Sequence, residues 1–266
     1  MRYLIFFLAI AVSGPVRAQG LALAEFAGAD VIILGEVHDN PRHHAAQAKA
    51  VAALRPAALV FEMLTSAQAG LITPENRQEE KGLRKLLGWD NTGWPDFSYY
   101  YPIFTASKAA RIFGAGLTRP AARNAFKTGI LADFGAESGL YGLERALDAA
   151  EQAERLAFQR AAHCNALPEN LLAGMVELQR LRDAYLARAV IEALDAVGGP
   201  VVVITGNGHA RKDRGLAVYL RAARPDLAVI AVGMAEGGRV DGVFDWVVSF
   251  EAEPRPDPCL AFQNSD

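Results

Sequence analysis

Cysteine is scarce in this sequence, which contains only Cys164 and Cys259. Two cysteines so far apart do not form the dense disulfide framework of a small secreted scaffold, although they could pair in an oxidising compartment. The sequence alone does not distinguish between a single disulfide and two unpaired thiols. Neither alternative indicates a function.

Charge of one sign is also scarce. The 266 residues carry a formal net charge of -3, and no long run of like charge interrupts them. Proteins that bind a nucleic-acid backbone usually show a clear basic patch, so a nucleic-acid partner is not expected. Hydrophobic residues make up 52% of the chain, which supports the sizeable core of one large α/β domain or two small ones.

The apolar run near the N-terminus, residues 3–12, is too short to span a bilayer comfortably. A basic residue precedes it, and residues 13–18 break it and then supply small side chains. This pattern predicts that residues 1–18 are a cleavable signal peptide and that the mature domain comprises residues 19–266. A retained membrane anchor is the alternative. Because no cysteine lies near the cleavage site, we expect a soluble periplasmic protein without a lipid anchor.

The order of predicted elements indicates an α/β fold. Residues 30–34 are a continuous β-branched run typical of a buried strand, and Asn40-Pro41 is a typical helix start. This helix ends near Leu54, and a second strand follows at residues 57–61. Strand, helix and strand within about thirty residues form a βαβ unit, whose two strands are parallel.

Later segments extend this sheet. Further strands are predicted at "RIFGAGL", "PVVVITGNGH", "LAVIAVGM" and "DWVVSF", and long helices near residues 143–162 and 168–197. The expected architecture is a small, mostly parallel sheet flanked by helices, with a large inserted helical subdomain at about residues 63–197.

Polar residues follow four of these strands at their carboxyl ends. They are Glu36 and His38 after the first strand, Glu62 after the second, Arg119 after the third, and Asn207 and His209 after the fourth. Ligands of open parallel sheets bind where the carboxyl ends of the strands meet. We therefore expect these side chains to line one cleft.

The spacing Gly-x-x-His occurs after two of the strands, at Gly35 to His38 and at Gly206 to His209. A glycine lets the backbone turn sharply there, and the histidine then lies near the start of the next helix. One such motif is weak, and two after two strands favour a shared site. The alternative is two polar loops with incidental histidines, to which His43 in the first turn would also belong.

Three further residues are candidate ligands on helices. Gln179 and Asp183 lie on one face of the helix near residues 175–190 and could reach the cleft, although Asp183 could instead pair with Arg182. His163 ends the preceding helix, where it could bind a ligand or cap backbone carbonyls.

An aromatic segment, "GWDNTGWPDFSYYYPIF", contains Tyr100 between two other tyrosines. It could form the core beside the helices. Alternatively it could wall a large, flat, apolar ligand and offer a tyrosine phenolate to a ferric ion. The spacing does not choose between these.

Five segments together resemble the ChaN-like haem-binding family, within a wider group that includes the Tiki, TraB and erythromycin-esterase proteins. They are "ILGEVHDNPRHH", "LVFEML", "GWPDFSYYYPIF", "AAHCNALPENLLAGMVELQRLRDAYLARA" and "TGNGHARKDRGLAVYL". They cover nearly the whole predicted mature chain in the order of the family. Some relatives are lipoproteins, and the present sequence lacks the lipid-bearing cysteine.

The resemblance implies an exported haem-binding protein linked to iron acquisition in the envelope of Gram-negative bacteria. Expected partners are haem, outer-membrane haem-uptake components and a second copy of the chain. The candidate haem-binding residues are His38, His43, Tyr100, Arg119, His163, Gln179, Asp183, Asn207 and His209.

The wider group also implies an alternative, a hydrolase that uses the paired histidines and the glutamates at the strand ends. Its catalytic residues would be Glu36, His38, Glu62 and His209. Two imidazoles and a carboxylate, from His38, His209 and Glu62, could hold a divalent metal with an open position. Base catalysis without a metal is equally compatible with these residue types.

Overall fold

A computed structural model of the chain describes residues 23–257 and 259–260, so the predicted signal peptide lies outside the described residues. Within that part, six strands form one sheet. They are β1 (Val31–Leu34), β2 (Ala58–Phe61), β3 (Arg111–Gly114), β4 (Val201–Ile204), β5 (Val229–Glu236) and β6 (Trp246–Phe250). Their spatial order is β3-β2-β4-β1-β5-β6, and every neighbouring pair is parallel.

Helices connect the strands. They are α1 (Pro41–Leu54), α2 (Ser66–Gly70), α3 (Glu80–Leu86), α4 (Phe97–Ala106), α5 (Arg119–Thr128), α6 (Ile130–Phe134), α7 (Ala149–Ala162), α8 (Glu169–Val197), α9 (Asn207–Ala210) and α10 (Leu216–Ala223). Short 3-10 helices lie at Leu23–Phe26, Asn76–Gln78 and Trp89–Asn91. None of the helices in the described ranges has the length and apolar character needed to cross a membrane.

The predicted α/β fold is confirmed, and its helix boundaries have local causes. At α1, the Asn40 side chain accepts a hydrogen bond from the Arg42 backbone N–H at 2.9 Å, as expected for an N-cap. The helix expected from residue 143 begins only at Ala149, because Asp148 caps it by accepting a hydrogen bond from the Glu151 N–H at 2.8 Å. Residues 63–197 contain β3 as well as helices that pack on both faces of the sheet.

The core consists of two apolar layers, one on each face of the sheet. In β1, Val31 and Ile33 face the layer that contains α8 and α10, while Ile32 and Leu34 face the layer that contains α1 and α4. This alternation explains why the strand is apolar throughout, since both faces are covered. Full burial of each such side chain stabilises the fold by about 1.5–3 kcal/mol.

The connections that leave β1 and β4 diverge, although these strands are neighbours in register, with Leu34 opposite Ile204. From β1 the chain crosses through α1 to β2, and from β4 it crosses through α10 on the other face to β5. Such a switch point leaves a crevice at the carboxyl ends of the two strands. Both Gly-x-x-His motifs open into this crevice.

The chain after β6 is held to the start of α1 by several polar contacts and to the end of α7 by a disulfide. Arg255 forms ion pairs with Asp39 and Glu236 at 2.8 and 2.6 Å, next to the start of α1. Further along, Cys259 forms a disulfide with Cys164, which follows α7. The structure thus resolves the alternative that the sequence left open, in favour of a pair.

Candidate functional site

Glu36, directly after β1, is a buried carboxylate whose oxygens are fully engaged. Its Oε1 atom accepts hydrogen bonds from the Tyr100 hydroxyl at 2.8 Å and from His38 Nδ1 at 2.7 Å. Its Oε2 atom accepts a hydrogen bond from the Gln47 amide at 2.8 Å. A buried charge is costly without such partners. Glu36 therefore holds the His38 ring in one orientation.

Glu62, directly after β2, occupies the centre of the crevice. Its Oε2 atom accepts hydrogen bonds from the Thr205 hydroxyl at 2.7 Å and from the Gly206 N–H at 2.8 Å. Its Oε1 atom faces Nε2 of His209 at 3.5 Å and Nε2 of His38 at 4.0 Å. The loop after β4 thus anchors one carboxylate oxygen and leaves the other to the two imidazoles.

Gly206 is required for the close approach of the two loops. A Cβ atom at this position would lie 2.9 Å from Nε2 of His38, which is closer than real side chains allow. The glycine of the second Gly-x-x-His motif therefore makes room for the histidine of the first.

His209 is held from its other side by α8. Its Nδ1 atom lies 2.7 Å from Oδ1 of Asp183, and the Gln179 amide nitrogen lies 3.1 Å from the same ring atom. The two histidines make the same pair of carboxylate contacts, since each contacts a carboxylate through Nδ1 and faces Glu62 through Nε2. The site is a chain of alternating carboxylates and imidazoles, which we call the Glu-His relay: Glu36, His38, Glu62, His209 and Asp183.

These contacts perturb the pKa values of the relay. Burial lowers the pKa of His38, but the charges of Glu62 and Glu36 outweigh burial and raise it to about 9. Burial raises the pKa of Glu62, and the charges of His209 and His38 outweigh this and lower it to about 2. At neutral pH an imidazolium therefore faces a carboxylate in the crevice.

The outer members of the relay differ from each other. The pKa of Glu36 is lowered, because its hydrogen bond with His38 and the charge of His44 outweigh the effect of burial. Burial raises the pKa of Asp183 despite the opposing charge of His209. The pKa of His209 is raised, since Glu62 and Asp183 together outweigh its burial.

The aromatic segment lies partly in the core and partly beside the crevice. Tyr100 is fully buried beside Trp89 and belongs to the core. Trp94 is half-buried, and its ring meets the edge of His38 with centroids 4.9 Å apart. The side chain of His38 is 34% exposed, against 12% for Glu62 and 8% for His209. His38 and Trp94 therefore form the open side of the site.

Two predicted ligands, His43 and Asn207, form hydrogen bonds with backbone groups. His43 is buried, its Nδ1 atom accepts a hydrogen bond from the Val37 N–H at 2.9 Å, and burial lowers its pKa to about 4. Asn207 bonds the backbone of β5, with its amide donating to the Met234 carbonyl at 2.8 Å and accepting from the Met234 N–H at 2.9 Å. Both side chains shape the loops that carry the relay.

Two others lie apart from the relay. His163 follows α7, and its Nδ1 atom lies 2.8 Å from the Gln159 carbonyl, which is the capping arrangement considered from the sequence. Arg119, the first residue of α5, is exposed and extends to the loop at Gly93, where a Cβ atom would lie 3.2 Å from its Nη2. Arg119 thus reaches the loop of Gly93, which directly precedes Trp94 in the sequence.

Two residues of the site were not predicted from the sequence: Gln47 and Thr205. Gln47 lies one turn after His43 on α1, so the helical spacing of polar residues in an alanine-rich helix could have indicated it. Thr205 directly precedes Gly206, and in the sequence it continues the apolar run of the strand. The polar spacing and the strand end are the signals that could have found these two.

The arrangement can hold and move protons. Two imidazoles flank one carboxylate, and each imidazole is oriented by a second carboxylate, which is the geometry that general acid–base catalysis uses. In the part of the chain that the structure describes, no group of three or more histidine, cysteine, aspartate or glutamate residues is placed to hold a metal ion. The predicted metal candidates His38, Glu62 and His209 do converge, with both imidazoles facing Oε1 of Glu62 at 4.0 and 3.5 Å.

The family model described as haem-binding uptake, Tiki superfamily, ChaN matches residues 22–220. The chain belongs to this family. The resemblance seen in the sequence is thereby confirmed, and the ChaN family model ends within α10, so it includes every member of the Glu-His relay. Comparison with curated protein sequences gives no match.

One solved ChaN structure agrees with this chain at the level of the fold. The haem-bound ChaN of Campylobacter jejuni, a structure with cofacial haems, shares 21% identity and a TM-score of 0.67, covering 85% of this chain and 89% of its own. A succinoglycan biosynthesis protein is more distant, with 16% identity and a TM-score of 0.46 over 80% of this chain and 67% of its own.

Proposed function

We propose that this protein binds haem as cargo, in the uptake or handling of iron in the bacterial envelope. The observation that carries the proposal is the match of a haem-binding uptake family over residues 22–220, which includes the whole relay. The Campylobacter ChaN structure of similar fold holds haem, which is consistent with this cargo.

The open side of the crevice has groups that suit a porphyrin. Trp94 offers an aromatic face for a flat apolar ring, and His38 beside it is the most exposed imidazole of the relay. Arg119 places an exposed guanidinium at the neighbouring loop, where it suits a propionate carboxylate. These three residues would hold the haem. Since an imidazole must be unprotonated to bind iron, His38 would first release a proton to solvent.

Titration of the purified apoprotein with hemin tests the proposal. We expect a saturable shift of the Soret band, which His38→Ala changes in position or weakens in affinity by about tenfold or more. His163→Ala is the matched control, because that histidine caps its own helix. Absence of saturable binding would contradict haem as the cargo. An unchanged spectrum in His38→Ala would place the haem contact elsewhere.

The relay itself supports a second candidate, a hydrolase. Its supporting observation is that the Nε2 atoms of two carboxylate-oriented imidazoles face one carboxylate oxygen of Glu62. In such an enzyme the relay would take a proton from attacking water and return it to the leaving group. Assay of hemin-free protein against ester and amide substrates, with and without a chelator, tests this function. Turnover that Glu62→Gln abolishes would support it, and no turnover with wild-type protein would contradict it.

We also propose export to the periplasm, based on the apolar N-terminal run and its small-residue cleavage pattern. N-terminal sequencing of the protein from a periplasmic fraction should give Gln19 as the first residue. Intact Met1 in a membrane pellet would contradict export.

The proposed partners are outer-membrane haem-uptake components and a second copy of the chain. Light scattering during size-exclusion chromatography, with and without hemin, tests the second copy directly. A monomer under both conditions would contradict it. Crosslinking in cells tests the proposed outer-membrane partners. The outer-membrane proteins captured by wild type and by His38→Ala are then identified and compared.

A further inference from the structure

A pocket lies behind His209, on the side of its ring that faces away from Glu62. Helices α7 and α8 supply most of its wall, and the loop after α9 closes it. Gln179 and Asp183, which contact His209, line the pocket from α8. The pocket therefore shares a wall with the relay.

Three arginines line this pocket: Arg155, Arg211 and Arg214. Two of them have acidic partners. Arg155 donates from Nε and Nη2 to one oxygen of Glu151 at 3.1 and 2.7 Å, and Arg211 donates from Nε to Asp213 at 2.8 Å. Arg155 and Arg211 therefore each have a direct acidic partner, and Arg214 is the third arginine of the pocket.

Arg214 makes no hydrogen bond or ion pair with any residue that the structure describes. It is half-buried, and its guanidinium lies over the Phe158 ring, 5.2 Å from the centroid. Burial lowers its pKa and the positive charge of Arg211 lowers it further, while the charges of Asp213 and Glu154 oppose this effect. A partly desolvated cation that has no direct acidic partner is stabilised by an anion.

The other walls specify what kind of anion fits. Phe158 and Val176 give the pocket apolar surface beside the free guanidinium. Asp183, the acidic residue of the described lining, pairs with His209 at 2.7 Å, which leaves Arg214 as the charged lining residue without a direct partner. One negative charge matches it, whereas a phosphate dianion would leave an excess. A planar carboxylate also fits the fork of a guanidinium, and an apolar substituent can lie on the Phe158 ring, which is 41% exposed.

We propose that this pocket binds a small organic carboxylate, whose charged group pairs with Arg214 and whose apolar part packs on Phe158 and Val176. The site is separate from the proposed haem contact at His38 and Trp94, and it does not depend on haem binding. Since Asp183 and Gln179 contact both the pocket and His209, the bound carboxylate changes the surroundings of His209.

Calorimetric titration of hemin-free, full-length mature protein tests the proposal, with benzoate, acetate and inorganic phosphate as probes. We expect saturable binding of benzoate, tighter than that of acetate or phosphate. Arg214→Gln should weaken benzoate binding by about tenfold or more, because it removes the charged partner. Arg239→Gln is the matched control, since it removes one exposed arginine charge outside the pocket.

Two further measurements keep the test independent of folding defects. Phe158→Ala changes a 41% exposed ring, so it should fold, and it should weaken benzoate binding while leaving acetate binding unchanged. Benzoate should also shift the NMR resonances of the His209 ring but not those of His43, which is buried on the opposite face of the sheet. No saturable benzoate binding, equal affinity in Arg214→Gln, or phosphate binding as tight as benzoate binding would overturn the proposal.

Discussion

The Nε2 atoms of His38 and His209 face the same carboxylate oxygen, Oε1 of Glu62, at 4.0 and 3.5 Å. The two imidazoles come from loops that are far apart in sequence, and they share one central counter-charge. The protonation state of each imidazole therefore affects the interaction of the other with Glu62. The histidines of the two Gly-x-x-His motifs thus lie in one crevice, as the sequence predicts.

The first prediction is that His38 and His209 are energetically coupled. In a double-mutant cycle, His38→Ala and His209→Ala should depart from additivity by more than about 0.5 kcal/mol, because both side chains interact with Glu62. The free energy of unfolding and the hemin affinity are the two readouts. A parallel cycle of His38→Ala with His163→Ala should be additive. Additivity in both cycles would mean that the relay does not act as one unit.

The second prediction concerns pH. The pKa of His38 is raised from 6.5 to about 9, so its contribution to stability is complete below about pH 6.5 and is lost as pH rises through about 9. Full linkage would give about 3 kcal/mol. We expect about 1–2 kcal/mol, because solvent reaches a third of the ring and screens its charge.

Denaturant unfolding of wild type and His38→Gln between about pH 6 and 10 measures this loss. The wild type should lose stability over that interval relative to the variant, and the two curves should become parallel only near pH 10, about one unit above the raised pKa of His38. His163→Gln serves as the control and should follow the wild type throughout. Parallel curves for all three proteins over the whole range would contradict a protonated His38.

The third prediction is that Glu62→Gln lowers the pKa of His38 by at least about one unit. Glu62 is the strongest charge that raises this pKa, and glutamine keeps the size of the side chain while removing the charge. Titration of the His38 ring followed by NMR provides the measurement. His43, in the same loop region, should keep its low pKa. An unshifted His38 would show that Glu36 alone sets its protonation.

The fourth prediction separates Tyr100 from the haem contact. Tyr100→Phe should destabilise the protein by about 1.5–3 kcal/mol, because it removes a hydrogen bond to the buried carboxylate of Glu36. The Soret band of the hemin-loaded protein should stay unchanged, since that hydroxyl is committed to Glu36 and burial strongly raises its pKa. A Soret shift in this variant would instead identify Tyr100 as a contact of the haem.

Much of the fold was predictable because its strands are short, continuous and β-branched. In β4, for example, Val201–Ile204 is apolar on both faces, and a glycine turn marks its end. The rule that loops meet at the carboxyl edge then placed Glu36, Glu62 and His209 together. Local patterns sufficed for these residues, because the chain enters the crevice directly from a strand.

The partners of helical residues were not predictable in the same way. From the sequence, Asp183 could either pair with Arg182 or reach into the crevice. In the structure Asp183 is fully buried and contacts His209. Helical spacing gives the face on which a residue lies but not how deeply that face is buried. The arginine pocket depends on how α7 packs against α8, which no local pattern encodes.

The disulfide between Cys164 and Cys259 determines how mechanical load enters the molecule. It closes a covalent ring with a sequence separation of 95 residues, which contains β4, β5 and β6. A pull applied beyond Cys259 passes through the sulfur atoms to the turn after α7 and leaves these three strands without tension. Stretched to rupture, the oxidised chain would be shorter than the reduced chain by roughly 320 Å.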